Sequence, residues 1–282
     1  MRPCRSVLYI PGSSARALEK AAGLAADALI FDLEDAVAPA EKAAARAGLA
    51  AALARFDYGA RLRIVRVNGL DTAWGRADVQ AFAALPAVDA LLVPKIGRAA
   101  DLAAIAELAP AKPLWAMMET PLAMLNAVEI AGHAALEGMV MGTNDLAKDL
   151  GARHRPDRLA LITGLGLCLL AARAQGRVIV DGVYNAFTDA AGFAAECEQG
   201  RDMGFDGKTL IHPAQIATAN RVFAPSEADL VQARRQIAAF AAAQAAGQGV
   251  AVLDGKIVEN LHIVTAQALL AKSVAIAALQ GS

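Results

Sequence analysis

The stretch Leu114-Trp115-Ala116-Met117-Met118-Glu119-Thr120-Pro121, followed by Gly138-Met139-Val140-Met141-Gly142-Thr143-Asn144-Asp145, decides how the chain is read. Each half is an apolar run that stops abruptly in a polar turn. A strand buried on both faces reads as continuous hydrophobe, which a parallel sheet requires. Residues 114–118 and 138–141 are therefore expected as strands, with a helix over 120–131 between them. Each strand delivers one carboxylate just past its C-terminal end, Glu119 from the first and Asp145 from the second. Neighbouring parallel strands lie about 4.8 Å apart, so the two carboxylates can converge on one point. Two hard oxygen donors, with positions left open for water and substrate, suit Mg²⁺. The alternative is that both acids cap the helices that follow, where negative charge is favoured.

Working outward, six more short runs have the same form, at residues 7–10, 28–33, 64–67, 90–93, 178–180 and 209–211. Between them lie Ala/Leu-rich segments with helical spacing, at 15–24, 41–53, 76–84, 99–108, 157–174 and 189–203. Strand then helix, eight times over, predicts an α/β fold, the (β/α)8 TIM barrel, for which about 250 residues is typical. A doubly wound open sheet would show a glycine-rich phosphate loop after its first strand, and here Pro11-Gly12-Ser13-Ser14 follows instead. The barrel is expected to occupy residues 1–225. Residues 226–282 form a C-terminal helical extension or lid, part of the same domain or swapped onto a neighbouring subunit. In it, Ser226 with Asp229 caps a helix over 226–246, Gly247-Gln248-Gly249 ends that helix, and a last helix spans 261–279. Asp254-Gly255 gives a hairpin-like signal over 250–258.

Composition excludes several classes. The formal net charge of the 282 residues is -1, with no long run of one sign, so neither nucleic acid nor a membrane surface is an expected partner. Cys4, Cys168 and Cys197 are widely separated and make no metal-ligand pair, which points to a reducing cytoplasm. The apolar run at 7–10 breaks at Pro11-Gly12, too short for a signal peptide. The longest uncharged run, 236–253, is interrupted by Gln and Gly and makes a poor membrane span. A soluble, cytoplasmic enzyme is expected.

Chemistry in such a barrel sits at the C-terminal face, so the strand ends are the residues to weigh. The second strand ends in Asp32-Leu33-Glu34-Asp35, three carboxylates that are costly together unless a cation or basic group neutralises them. A solvated acidic turn is the other reading. Arg66 shares a strand face with Ile64 and Asn68, and a guanidinium there would bind a carboxylate or polarise a carbonyl. Lys95 either supports nearby acids or is a surface lysine, and His212 reads as a packed, hydrogen-bonded histidine. Acids on strands two, five and six with an arginine on strand three fit a metal and a carboxylate-bearing substrate. Making or breaking a C–C bond through a metal-held enolate is the chemistry expected of that set.

Seven segments carry a resemblance. They are Arg5-Ser6-Val7-Leu8-Tyr9-Ile10-Pro11-Gly12, Asp32-Leu33-Glu34-Asp35-Ala36-Val37, Val65-Arg66-Val67-Asn68, Val93-Pro94-Lys95, Met118-Glu119-Thr120-Pro121, Gly142-Thr143-Asn144-Asp145-Leu146 and Gly207-Lys208-Thr209-Leu210-Ile211-His212-Pro213, with Asp254-Gly255-Lys256 beyond them. In this order they resemble the citrate lyase beta-subunit family, within the metal-dependent aldolases that include malyl-CoA and citramalyl-CoA lyases. The resemblance implies Mg²⁺ on Glu119 and Asp145, and Arg66 on the carboxylate and oxygen of the oxo-acid fragment. It implies that Glu34 and Asp35 hold metal-bound waters or Arg66, and that residues 6–16, with Pro11, Gly12 and Arg16, flank the CoA arm. Asp254 would be the acid/base at the α-carbon of the thioester, reaching a neighbouring subunit's site in a homo-oligomer, a trimer or hexamer. One departure is Asn144, where the citrate lyase subunit usually carries glutamate. The expected activity is cleavage of a malyl-CoA, citramalyl-CoA or citryl-CoA type substrate into an acetyl-CoA-like product and an oxo acid. Hydrolysis of the same thioester, condensation as in malate synthase, and a beta subunit of a multi-chain citrate lyase are the alternatives.

Overall fold

The computed structural model describes residues 2–280. Eight parallel strands close into a barrel in sequence order. They are β1 (Ser6–Pro11), β2 (Ala28–Asp32), β3 (Leu62–Arg66), β4 (Ala90–Val93), β5 (Leu114–Met118), β6 (Leu136–Met141), β7 (Val178–Asp181) and β8 (Gly207–Leu210), with β8 pairing back onto β1. This is the (β/α)8 architecture expected from the alternation of runs. Alternate side chains divide the barrel into two packed layers. Val7, Ala28, Ile30, Ile64, Leu92, Trp115, Met117, Val140 and Val180 fill its interior. Leu8, Leu29, Phe31, Val65, Leu91, Met118, Met139 and Ile179 point outward under the helices. The largest interior ring, Trp115, lies over Gly138 of β6, where a Cβ would stand 2.5 Å from the indole.

The helices outside are α1 (Ala15–Ala21), α2 (Lys42–Arg55), α3 (Gly75–Ala83), α4 (Ala99–Leu108), α5 (Pro121–Leu125), α6 (Ala127–Ala131), α7 (Thr143–Asp149), α8 (Ile162–Ala174), α9 (Ala190–Met203) and α10 (Ile216–Val222). The helices α7 and α10 have no counterpart among those expected, and two expected helices are altered. The helix expected over 120–131 is broken into α5 and α6 at Asn126, whose side-chain amide donates to the Gly97 carbonyl at 2.8 Å. The helix expected from residue 157 starts at Ile162, because Arg158 takes a left-handed φ of 52°. Cys4, Cys168 and Cys197 are all buried and unbridged.

Residues 4–223 form one compact unit, and residues 2–3 with 224–280 form another. The second contains α11 (Glu227–Ala245), β9 (Ala251–Leu253), β10 (Lys256–Val258) and α12 (Asn260–Gln280). The cap of α11 is the one expected: Ser226 Oγ accepts from the Asp229 amide, and Asp229 Oδ2 accepts from the Ser226 amide, both at 3.1 Å. Phe240, Ala243, Ala251, Val258 and Ile263 make a small core of their own. Asp254 (φ 51°) and Gly255 (φ 73°) form the hairpin turn, both in the left-handed region that such two-residue turns demand. By length and composition, residues 260–279 of α12 are apolar enough to cross a membrane, with mean hydropathy 1.5. Helices of soluble proteins meet the same measure, so it assigns no membrane.

Candidate active site

The interior alternation carries straight into the site. One step beyond the last apolar layer, the same face of each strand presents Tyr9 on β1, Asp32 on β2, Arg66 on β3, Glu119 after β5 and Gly142 after β6. These residues, with Pro11, Asp35, Met117, Thr143, Asn144, Asp145 and Asn185, line a cavity of about 380 Å³ at the C-terminal end of the barrel. Asp145 arrives differently from Glu119, three residues into α7 rather than at a strand end.

Arg66 is buried and gripped from two sides. Asp32 takes its planar edge, accepting from Nε at 2.7 Å and Nη2 at 2.6 Å. Glu34 holds Nη1 at 2.7 Å, with Asp35 a longer 3.4 Å away. The geometry therefore spends inside the protein the paired donors that the sequence reading reserved for a ligand, leaving one Nη2 hydrogen outside the Asp32 pair. Glu34 also accepts from the Lys95 ammonium at 2.8 Å. Lys95 has a left-handed backbone, φ 53°, and that turn aims its amide at Glu119 Oε1, 2.7 Å away. Of the two readings of Lys95, support of nearby acids is the one observed.

Glu119 is 1% exposed. Burial, countered in part by the Lys95 amide and reinforced by Glu34 and Asp145, pushes its carboxyl up to about 7. Burial likewise raises Glu34 against the pull of Arg66 and Lys95. Asp35 is held low in spite of partial burial, by its hydrogen bond with Glu34 and by the charge of Arg66. Gly142 is obligatory at its position, because a Cβ there would collide with Glu119 Cβ and stand 2.6 Å from Oε2. A desolvated carboxylate with a second carboxylate nearby is an arrangement that a hard cation relieves. Among the described residues no three acid, histidine or cysteine side chains converge as a complete ligand set. Glu119 and Asp145 would thus leave most positions on a cation to water and ligand, as Mg²⁺ sites commonly do.

The other expected residues are distributed as follows. Pro11 lines the cavity, whereas Gly12 and Arg16 line a separate groove of about 470 Å³ between α1 and α2. Glu34 reaches the site only through Arg66 and Lys95. Asp254 belongs to the second unit, where it is exposed and paired with Arg235 at 2.7 Å. His212 is hydrogen-bonded as expected, accepting from the Ala214 amide at 3.2 Å, but it is exposed and not packed inside, stacked on Phe187 with ring centroids 4.7 Å apart. Sequence reasoning missed Asp32 as the main partner of Arg66, and missed Tyr9 and Asn185. The signal for Asp32 was strand parity, since Ala28, Ile30 and Asp32 share one face. Asn185 exchanges amide hydrogen bonds with Asn144, at 2.8 and 3.2 Å, a long-range pairing that no local pattern reveals. A further strand-end acid, Asp181 on β7, is buried and consumed by Arg158 and Lys208, at 2.7 and 2.9 Å.

Fold and site together define a (β/α)8 barrel enzyme whose acids and arginine gather at the strand C-termini. The chain belongs to the HpcH/HpaI aldolase/citrate lyase family, which it matches over residues 5–213. It is 70% identical over 280 residues to a protein of Cereibacter sphaeroides named (3S)-malyl-CoA thioesterase, covering 99% of this chain and 98% of that protein. An L-malyl-CoA/beta-methylmalyl-CoA lyase of the same species is 34% identical over 315 residues, covering 98% and 96% of the two chains. Among solved structures, CitE from Mycobacterium tuberculosis in complex with magnesium, acetoacetate and coenzyme A superposes with a TM-score of 0.81 at 31% identity, covering 97% of this chain and all of that one. These likenesses correct the expected activity. The relatives at 70% identity are named (3S)-malyl-CoA thioesterases, which favours hydrolysis, held in the sequence reading only as an alternative, over the expected C–C cleavage.

Proposed function

We propose that the chain hydrolyses the thioester of a short hydroxyacyl-CoA of the malyl type, using Mg²⁺ held by Glu119 and Asp145. The observation that carries this reading is the 70% identity, across nearly the whole length, to proteins named (3S)-malyl-CoA thioesterase. The cavity supplies suitable chemistry. Bound to the two carboxylates, the cation would polarise oxygens of the acyl substrate. Arg66, kept rigid by Asp32 and Glu34, would place its fixed charge and its remaining Nη2 hydrogen against a substrate carboxylate. The CoA arm would leave the cavity past Pro11 and follow the groove lined by Gly12, Arg16 and Arg55, whose guanidinium groups suit phosphates.

The hydrogen bond from Arg235 holds the Asp254 carboxyl below its ordinary range, so it is ionised at neutral pH. It would carry protons at the barrel mouth of a neighbouring subunit in a homo-oligomer. The test is to incubate the purified chain with (3S)-malyl-CoA and follow free thiol, malate and glyoxylate. Thiol and malate are expected in equal amounts, with Mg²⁺ required and a chelator abolishing the reaction. Glyoxylate appearing with acetyl-CoA in place of malate would overturn the reading.

A further inference from the structure

We infer that Tyr9 is a catalytic residue of this hydrolysis, its hydroxyl donating a hydrogen bond to the thioester carbonyl oxygen as that oxygen becomes negative. The inference rests on the hydrolytic reading and adds to it a group to which neither the fold nor the relatives assign a role.

Three observations converge on Tyr9. It lines the catalytic cavity beside Asp32, Arg66, Met117 and Glu119. Its ring lies against the Arg66 guanidinium, 5.1 Å from ring centre to carbon, so its orientation is set by a residue that is itself clamped. Its hydroxyl is engaged only weakly, 3.3 Å from the Met117 thioether sulfur. A thioether is a poor acceptor, so transferring that hydrogen bond to a substrate oxygen gives up little. Asp32 and Arg66, lining the same cavity, are instead tied into ion pairs, with Glu34 behind them on Arg66. Burial keeps the phenol well above its ordinary pKa, so the group acts as a donor and not as a base.

Tyr9 lines the same cavity as Arg66 and Glu119, in the layer one step below Pro11, past which the CoA arm would leave. A thioester carbonyl joins the CoA arm to the acyl part and so would lie in the cavity that Tyr9 lines. In the step proposed, a water oxygen attacks the acyl carbon and the carbonyl electron pair moves onto oxygen, where the Tyr9 hydroxyl stabilises it without losing its proton. The pair then returns, the C–S bond breaks, and the thiolate leaves with CoA, taking up the proton that the attacking water released. Malyl-CoA and water give malate and CoA.

The test is Tyr9→Phe in the full chain, assayed with (3S)-malyl-CoA at saturating Mg²⁺. The ring and its packing on Arg66 are kept, and one oxygen is removed. Turnover should fall about 100-fold, as when one oxyanion donor is deleted, while KM changes by less than about threefold. Mg²⁺ affinity by calorimetry should stay at the wild-type value, a readout that a merely structural role would shift. Tyr9→Leu, which loses ring and hydroxyl together, should show the same loss of turnover with reduced thermal stability added. A folded Tyr9→Phe protein with turnover within about twofold of wild type, or with a loss that tracks weakened Mg²⁺ binding, overturns the Tyr9 role alone. A wild-type chain that does not hydrolyse malyl-CoA overturns the hydrolytic reading and the Tyr9 role with it.

Discussion

At the scale of single residues, the site works by opposing burial and charge. Arg66 and Asp32 face each other across β3 and β2, paired in register as well as by two hydrogen bonds. Sequence displays both residues but not the register that makes them partners, so Arg66 reads as free for a ligand until the strands are paired. Glu119 offers a thermodynamic test. Its carboxyl is raised from 4.5 to about 7, so between those values the folded chain keeps a proton that the unfolded chain has released. Folding stability therefore falls as pH rises through that window, by an amount on the order of 3 kcal/mol. Glu119→Gln should flatten this component. Urea unfolding of the metal-free proteins at about pH 5 and about pH 8 should show a smaller difference for the variant than for wild type. Equal pH dependence in the two would show that Glu119 ionises normally. Mg²⁺ should restore the wild-type stability lost at the higher pH by replacing the proton.

At the scale of elements, the connection from β6 to α7 carries most of the local constraint. Gly142 lets the Glu119 side chain lie across it, and a methyl group there has nowhere to go. Gly142→Ala should displace Glu119, with Mg²⁺ affinity and turnover lost and stability lowered by about 1–3 kcal/mol. Gly166, in α8, has nothing within 4 Å of a Cβ, so Gly166→Ala should raise stability by about 0.5–1 kcal/mol through helix propensity alone. Calorimetric melting of both variants checks the contrast, and two equally neutral substitutions would contradict the packing described around Glu119. The strands were legible because a parallel strand, covered on both faces, must be continuously apolar. The break between α5 and α6 was not, because it depends on Asn126 finding Gly97 in another loop.

At the scale of the whole molecule, the role proposed for Asp254 at a neighbouring barrel can be tested by mixing subunits. Asp254 sits at the exposed tip of a hairpin, where it forms the turn and pairs with Arg235 of α11. Asp254→Asn and Glu119→Gln should each be inactive. Mixed after dissociation and reassembly, they should regain part of the wild-type rate if the hairpin of one subunit completes the barrel of the next. A mixture that stays inactive despite demonstrated subunit exchange would confine each Asp254 to its own chain. The sequence by itself determined the barrel, the strand ends that bear chemistry and the family, because the burial of parallel strands and the turns after them leave a local imprint. Tertiary structure alone decided which charges are spoken for: Asp181 consumed by Arg158 and Lys208, Arg66 clamped by Asp32, Lys95 turned onto Glu119, and Tyr9 left with only a thioether. Those pairings join residues tens of positions apart, and their energies depend on distances and desolvation that exist only once the barrel has closed.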